Sequence, residues 1–380
     1  MNANTPDFIV LGGGLVGAAI AYGLIRQGKR VTVLDEGDVA LRASRGNFGL
    51  VWVQTKGLGM PAYADWARLS ADVWPAFSKE LIERSGIDMN YRKTGGFQLA
   101  LGEKDMQAKI DLIARLKAQQ GAKGYDAEVI ERKRLDNMLP ELGPEVVGGT
   151  YCPHDGHVSP LKLLKALHKV LGDAYRPNSK VTAIHGEAGG FRVEAGGVVH
   201  AAPKIVLAAG LGNLPLAEML GFKLPVRPQR GQILVTERLP AFLDYPLSGV
   251  RQTEEGSVML GSSREEVGYD NGTTPEAMQT IARNATRIFP RLAHAKVVRV
   301  WGALRILARD EFPIYQSIPG HDGAVVATCH SGVSLAGAHA LHFAQYLAEG
   351  QLPEHFSAFH SRRFDVPKAS YELIDPDHHA

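Results

Sequence analysis

The first apolar run of the chain leads straight into a glycine turn: Phe8-Ile9-Val10-Leu11-Gly12-Gly13-Gly14-Leu15-Val16-Gly17. No other segment constrains the fold as strongly. Gly12 permits a tight turn after the strand, Gly14 leaves room for a pyrophosphate against the backbone, and Gly17 lets a following helix pack on the strand. That helix would present free N–H groups and its positive dipole end to phosphate. Lys29 to Leu34 reads as a second strand ending at Asp35, where a carboxylate can take a pair of ribose hydroxyls. Strand, turn, helix, strand and terminal acid together predict a βαβ unit that binds a dinucleotide.

The rest of the chain shows what surrounds this unit. Its 380 residues, 45% hydrophobic and 22% charged, can bury a large core in one large or two intertwined domains. The net charge is +2 with no basic run, so nucleic acid is not an expected partner. No apolar stretch of about 18 residues exists, which argues against a transmembrane segment, and no leader pattern precedes the first strand, so a cytoplasmic protein is expected. The cysteines are Cys152 and Cys329. An iron–sulfur cluster takes about four cysteine ligands, so this chain alone cannot hold one.

Nucleotide-type segments recur. Tyr63–Ser85 and Glu103–Gln120 have helical spacing, and Thr94–Leu101 alternates like a strand. Ser159 and Pro160 predict a helix start, while His154 and His157 have metal-ligand spacing without a companion cluster. Val181–Ile184, Phe191–Glu194 and Val198–Ala201 suggest a meander, followed by a second buried strand from Lys204 that ends at Ala208-Ala209-Gly210. Residues 226–301 are strand-rich (Gln232–Thr236, Val258–Gly261, Val297–Trp301) around a helix at Thr274–Phe289. A strand at Gly323–Cys329, a turn at His330-Ser331-Gly332 and a helix at Val333–Glu349 return to the first pattern. The prediction is a mixed α/β fold. Residues 1–85, 150–220 and 302–380 form a Rossmann-like domain, and 86–149 and 221–301 an interleaved antiparallel-sheet substrate domain. A nicotinamide domain usually forms from one continuous segment. A nucleotide domain visited three times suits a larger ligand, and FAD is the natural candidate.

This order of motifs resembles the D-amino acid oxidase family of FAD-dependent amine oxidoreductases, including glycine and sarcosine oxidases, over nearly the whole chain. The resemblance assigns Gly12, Gly14, Leu15, Val16, Gly17, Asp35 and Glu36 to the ADP half of FAD. Ser44, Arg45, Gly46, Asn47, Gly49 and Leu50 match the loop running toward the flavin, and Val181 the residue that meets adenine. Ala208, Ala209 and Gly210 match the strand end beside the ADP, and His330, Ser331, Gly332, Val333, Ser334 and Leu335 the turn that meets the flavin ring. A helix start there would stabilise the negative charge that reduction places on the flavin carbonyl edge. The segments Ser44–Trp52, Ala303–Asp310 and Ala327–Val333 are more narrowly similar to β subunits of heteromeric dehydrogenases of the octopine, nopaline, D-hydroxyproline and hydrogen cyanide synthase type. That resemblance implies an α subunit and a small iron–sulfur subunit as partners, and leaves open an FMN at a subunit interface.

The implied reaction is hydride transfer from an amine-bearing carbon of an amino or imino acid to flavin N5. It gives an imine that hydrolyses to a keto acid and an amine unless a cyclic imine persists. Arg305 matches the family arginine that grips the substrate carboxylate, a task for which a planar guanidinium fork is suited. Arg251 is a second candidate. It lies two residues from Gly249 on an expected strand, where it either faces a second carboxylate or is exposed to solvent. His330 either touches flavin or substrate or shapes the turn. No side-chain base is required, since a neutral amine can lose hydride directly. Trp301–Arg309 holds no cysteine at the family's attachment position, so FAD is expected to bind non-covalently. Alternatives are a stand-alone oxygen-using glycine or D-amino acid oxidase, a 2-hydroxy acid oxidoreductase on the same fold, or a flavin-binding subunit without turnover.

Overall fold

The computed structural model describes residues 5–37, 43–139 and 141–365; residues 1–4 and 366–380, which the sequence assigns to the nucleotide domain, lie outside the described residues. The first apolar run sits at the centre. Phe8–Leu11 is a strand buried at every position, paired in parallel with Val31–Leu34 on one side and Lys204–Leu207 on the other. Ala324–Thr328 continues the parallel sheet, Tyr175–Arg176 ends one edge, and Ile314–Ser317 runs antiparallel at the other. Strands buried on both faces read as unbroken apolar runs, as the central strand Phe8–Leu11 does.

Side chains alternate between two layers. Phe8 and Val10 face a helical layer formed by Leu15–Arg26, Pro61–Ser85, Pro160–Leu171 and the helical stretch after Ala336. Ile9 and Leu11 face the meander Val181–Glu187, Gly190–Ala195, Val198–Ala202 through Ile184, Phe191 and Val193. Gly23 lets the first helix meet the last: a Cβ there would lie 2.0 Å from the Ala340 carbonyl oxygen.

A four-stranded antiparallel sheet, in the order Val250–Gln252, Ser257–Gly261, Val226–Arg238, Val297–Ala308, forms the second half. Its far side shares a core with helix Pro275–Ile288 and the sheet Gly96–Leu101, Val146–Cys152, Glu128–Glu131 through Leu234, Leu260, Ile281, Phe97 and Ile130. The two long strands outrun the sequence expectation. The extension through Pro228 pairs on one side only, with Ile306, where a missing N–H is tolerated. The helix expected from Val333 starts at Ala336, because Ser331–Leu335 close a turn first, and it passes through a π-helical stretch at His339–Phe343. Among the described residues, no helix is long and apolar enough to cross a membrane.

Candidate active site

One cavity of about 1710 Å³ runs from the glycine turn past the 330–334 turn to helix Pro275–Ile288. Small-molecule sites are typically ~300–1,000 Å³, so this one has room for a dinucleotide and a second ligand. At its first end the glycines act as the sequence requires. Gly12 has φ +104°, and a Cβ there would lie 2.5 Å from Ala209 Cα; a Cβ on Gly17 would lie 1.9 Å from the Gly12 oxygen. Gly12, Gly14, Leu15 and Val16 line the cavity, while Gly17 is spent on packing. Asp35 and Glu36 line it too, and the Asp35 carboxylate accepts from Gly13 N–H (2.7 Å) and Gly37 N–H (3.1 Å). The helix start is not wholly free for phosphate, since Leu15 N–H donates to Ser44 Oγ at 2.9 Å.

Ala43–Gly46 forms one helical turn, which Asn47 fastens by donating to the Ser44 carbonyl and accepting from Gly49 N–H. Ser44, Gly46, Asn47, Gly49 and Leu50 line the cavity and Arg45 does not. Val181, Ala208, Ala209 and Gly210 line it too, with Ala208 and Ala209 against Gly12. At the far end stand His330, Ser331, Gly332, Val333 and Ser334, with Leu335 buried beneath them and donating its N–H to the Ser331 carbonyl. Ser334 ties this turn to the loop 280 residues earlier: its Oγ accepts from Trp52 N–H (3.0 Å) and donates to the Leu50 carbonyl (3.1 Å). His330 opens onto the cavity and is exposed there. Packing against the cavity wall, and then the charges of Lys56, Arg305 and Arg264, shift its imidazole below the usual pKa.

One face of the four-stranded sheet is the cavity floor. Gly46 sits on it, where a Cβ would meet the Ala303 side chain at 2.4 Å. Arg305 lies on this floor over Gly231, half-buried. Its Nη1 donates to the Ser263 carbonyl (2.9 Å) and the Arg230 carbonyl (3.2 Å), and its Nη2 to Ser262 Oγ (2.5 Å). Arg251 sits elsewhere. Gly249 precedes the strand Val250–Gln252 and lines the cavity, so the expected shared face breaks down. Arg251 is 4% exposed, off the cavity lining, and lies behind Gly49 with Nη1 on His157 Nδ1 (3.2 Å) and Nη2 near Met259 Sδ (2.8 Å). Burial draws its guanidinium down to about 10; burial, with Arg251 and Arg92 beside it, draws His157 down to about 3.

Sequence reasoning passed over Lys56 and the groups that place it. Lys56 Nζ donates to Ser331 Oγ (2.6 Å) and Tyr63 Oη (3.3 Å) and lies over the Tyr63 ring. The preceding Thr55 has φ +68°, in the left-handed region. Asp155, fully buried, pins this loop by accepting from Val53 N–H (2.5 Å) and Gln54 Nε2 (2.6 Å); burial pushes its carboxyl up to about 7 against those bonds. Cys329 also lines the cavity, but burial pushes its thiol up to about 12.

The cradle where Gly14 meets Ser44, the acid at Asp35 and the distant 331–334 turn fit the two ends of an FAD molecule. The family described as FAD dependent oxidoreductase (DAO) matches residues 7–346. The chain is 42% identical over 366 residues to an opine oxidase subunit from Agrobacterium tumefaciens, covering 96% of this chain and 99% of that protein. It is 27% identical over 416 residues to the hydrogen cyanide synthase subunit HcnC of Pseudomonas aeruginosa, covering 96% and 98%. Among solved structures, glycine oxidase from Bacillus cereus superposes with TM-score 0.83 at 22% identity, covering 94% of this chain and 99% of that one, a likeness of fold.

Proposed function

The chain belongs to the DAO family of FAD-dependent oxidoreductases, and from that premise we propose that it oxidises a secondary amine or imino acid of the opine type as the FAD- and substrate-carrying subunit of a heteromeric dehydrogenase. The observation that carries this reading is Arg305, held by carbonyl and hydroxyl acceptors on the floor of the cavity that also contains the 330–334 turn. FAD, when bound, supplies the two-electron acceptor for the hydride on the amine-bearing carbon. Gly12, Gly14, Ser44 and Asp35 would hold its ADP half, and the 331–334 turn its ring. Arg305 would take the substrate carboxylate with its fork and so fix the orientation of the reacting carbon. The heteromeric arrangement is supported by the similarity to proteins named as subunits, and a chain with two cysteines, both buried, is consistent with it.

The test is anaerobic titration of the purified chain with opines, glycine, D-hydroxyproline and 2-hydroxy acids, followed by flavin absorbance. Opines should bleach the flavin most readily, and dye reduction should need the co-purified partners. Bleaching by 2-hydroxy acids alone, or rapid oxygen consumption by the isolated chain, would refute the reading.

A further inference from the structure

We propose that Lys56 receives a second substrate carboxylate, so that the site takes secondary amines whose nitrogen bridges two carboxylate-bearing carbons. This rests on the reading of the cavity as an amine-oxidising site with Arg305 as the first carboxylate receiver.

Lys56 is a half-buried ammonium lining the cavity, and its hydrogen-bond partners are two neutral hydroxyls, Ser331 Oγ and Tyr63 Oη. Among the described residues no carboxylate makes an ion pair with it. Asp155, an acid on which Lys56 acts electrostatically, spends its oxygens on Val53 and Gln54. An ammonium has three donors, and the two hydroxyls use two of them. Taking a cation out of water without a counter-ion is costly, and a bound anion offsets that cost. The loop also aims the group. Thr55 is held at φ +68°, while Gln54 and Asp155, both fully buried, lock the backbone before Lys56. Strain held in place by buried bonds in this way is found where a side chain must be positioned.

The charge balance of the surroundings points the same way. Arg264 pairs with Glu311 at 2.6 Å, and both Arg305 on the floor and Lys56 on the loop lie close enough to His330 to act on it electrostatically. One carboxylate needs one of these cations. Two cations on different elements, lining one cavity, suit a ligand with a carboxylate at each end and the amine between them. Tyr63, whose hydroxyl contacts Lys56 and Ser331, places a further polar group beside the ammonium.

The experiment uses the flavin-loaded protein with its native partners and two non-oxidisable ethers, diglycolate with two carboxylates and methoxyacetate with one. Binding is read from the perturbation of flavin absorbance. Wild-type protein should bind diglycolate at least about tenfold more tightly than methoxyacetate, the scale of one added charge-assisted hydrogen bond. Lys56→Met should bring that ratio close to one, and Lys56→Arg should keep most of it. Equal binding of the two ethers by wild type, or an unchanged ratio in Lys56→Met, overturns the proposal; the wild-type arm needs no variant to fold. If no amine reduces the flavin yet the ratio depends on Lys56, the oxidation reading falls and the subsite stands. If amines are oxidised without a diacid preference, the subsite alone falls.

Discussion

Ser334→Ala tests whether the two halves of the cofactor cradle are coupled as the structure implies. Ser334 is 6% exposed, and its hydroxyl links the Trp52 N–H and the Leu50 carbonyl to the 331–335 turn. Alanine removes both bonds in a buried place. Each bond contributes about 1 kcal/mol, and a buried N–H deprived of its acceptor costs about 1–3 kcal/mol, so the flavin-free protein should lose about 2–4 kcal/mol. Leu50 and Ser334 also line the cavity, so loosening their link should weaken FAD binding. A tenfold weaker Kd would take a further ~1.4 kcal/mol from the FAD-loaded protein. Urea unfolding of stripped and reconstituted protein, with FAD titration by fluorescence quenching, measures both quantities. A loss below about 0.5 kcal/mol in both forms, with unchanged FAD affinity, would show that loop and turn are positioned independently and refute the reasoning.

Arg305→Lys should lower kcat/KM for carboxylate-bearing substrates by about 10²-fold with FAD content preserved, because a point charge cannot replace the bidentate fork; steady-state kinetics beside the flavin spectrum would check this. Arg251→Gln should depress mono- and dicarboxylic substrates by the same factor, and a selective loss on diacids would contradict its placement off the cavity. Acid precipitation should release all the flavin, since Cys329, held up to about 12, is a poor nucleophile at neutral pH. The His157 pKa is lowered in the fold from 6.5 to about 3, so its contribution to stability is complete above pH 6.5 and is lost as pH falls toward 3. His157→Gln should flatten the stability curve in that window by about one proton, as read from urea midpoints at a series of pH values.

The nucleotide half of the fold was legible because its signals are local. Phe8–Leu11 is a continuous apolar run, as are the last three residues of Lys204–Leu207, and Gly12 needs its positive φ within the same few residues. The meander and the helix Glu103–Gln120 were likewise written in their own periodicity. Partner-dependent features were not. Val226–Gln232 extends as a strand because Gly302–Ala308 pairs with it, which polar residues around Pro228 conceal. Ser331–Leu335 delays the last helix because Ser334 answers to Leu50 and Trp52.

The two arginines show why alternation alone misplaces a site. Alternation says which face of a sheet a residue occupies, but not how far across it. Arg305 lies opposite Gln229, whereas Arg251 lies opposite Met259, which is itself opposite Val235. Gln229 to Val235 is six residues of strand, about 20 Å at ~3.3 Å per residue, and three inter-strand steps of ~4.8 Å separate the strands that carry the two arginines. The two Cα positions are therefore about 24 Å apart before twist, too far for one small diacid to bridge. Lys56 had no comparable signal. It follows a left-handed Thr55 in a loop without periodicity, and its place beside Ser331 is set by Asp155, about 100 residues away. The cation that lines the cavity with Arg305 comes from a loop that meets the 330–334 turn through a contact 275 residues apart in sequence, so no spacing within the four-stranded sheet could have revealed it.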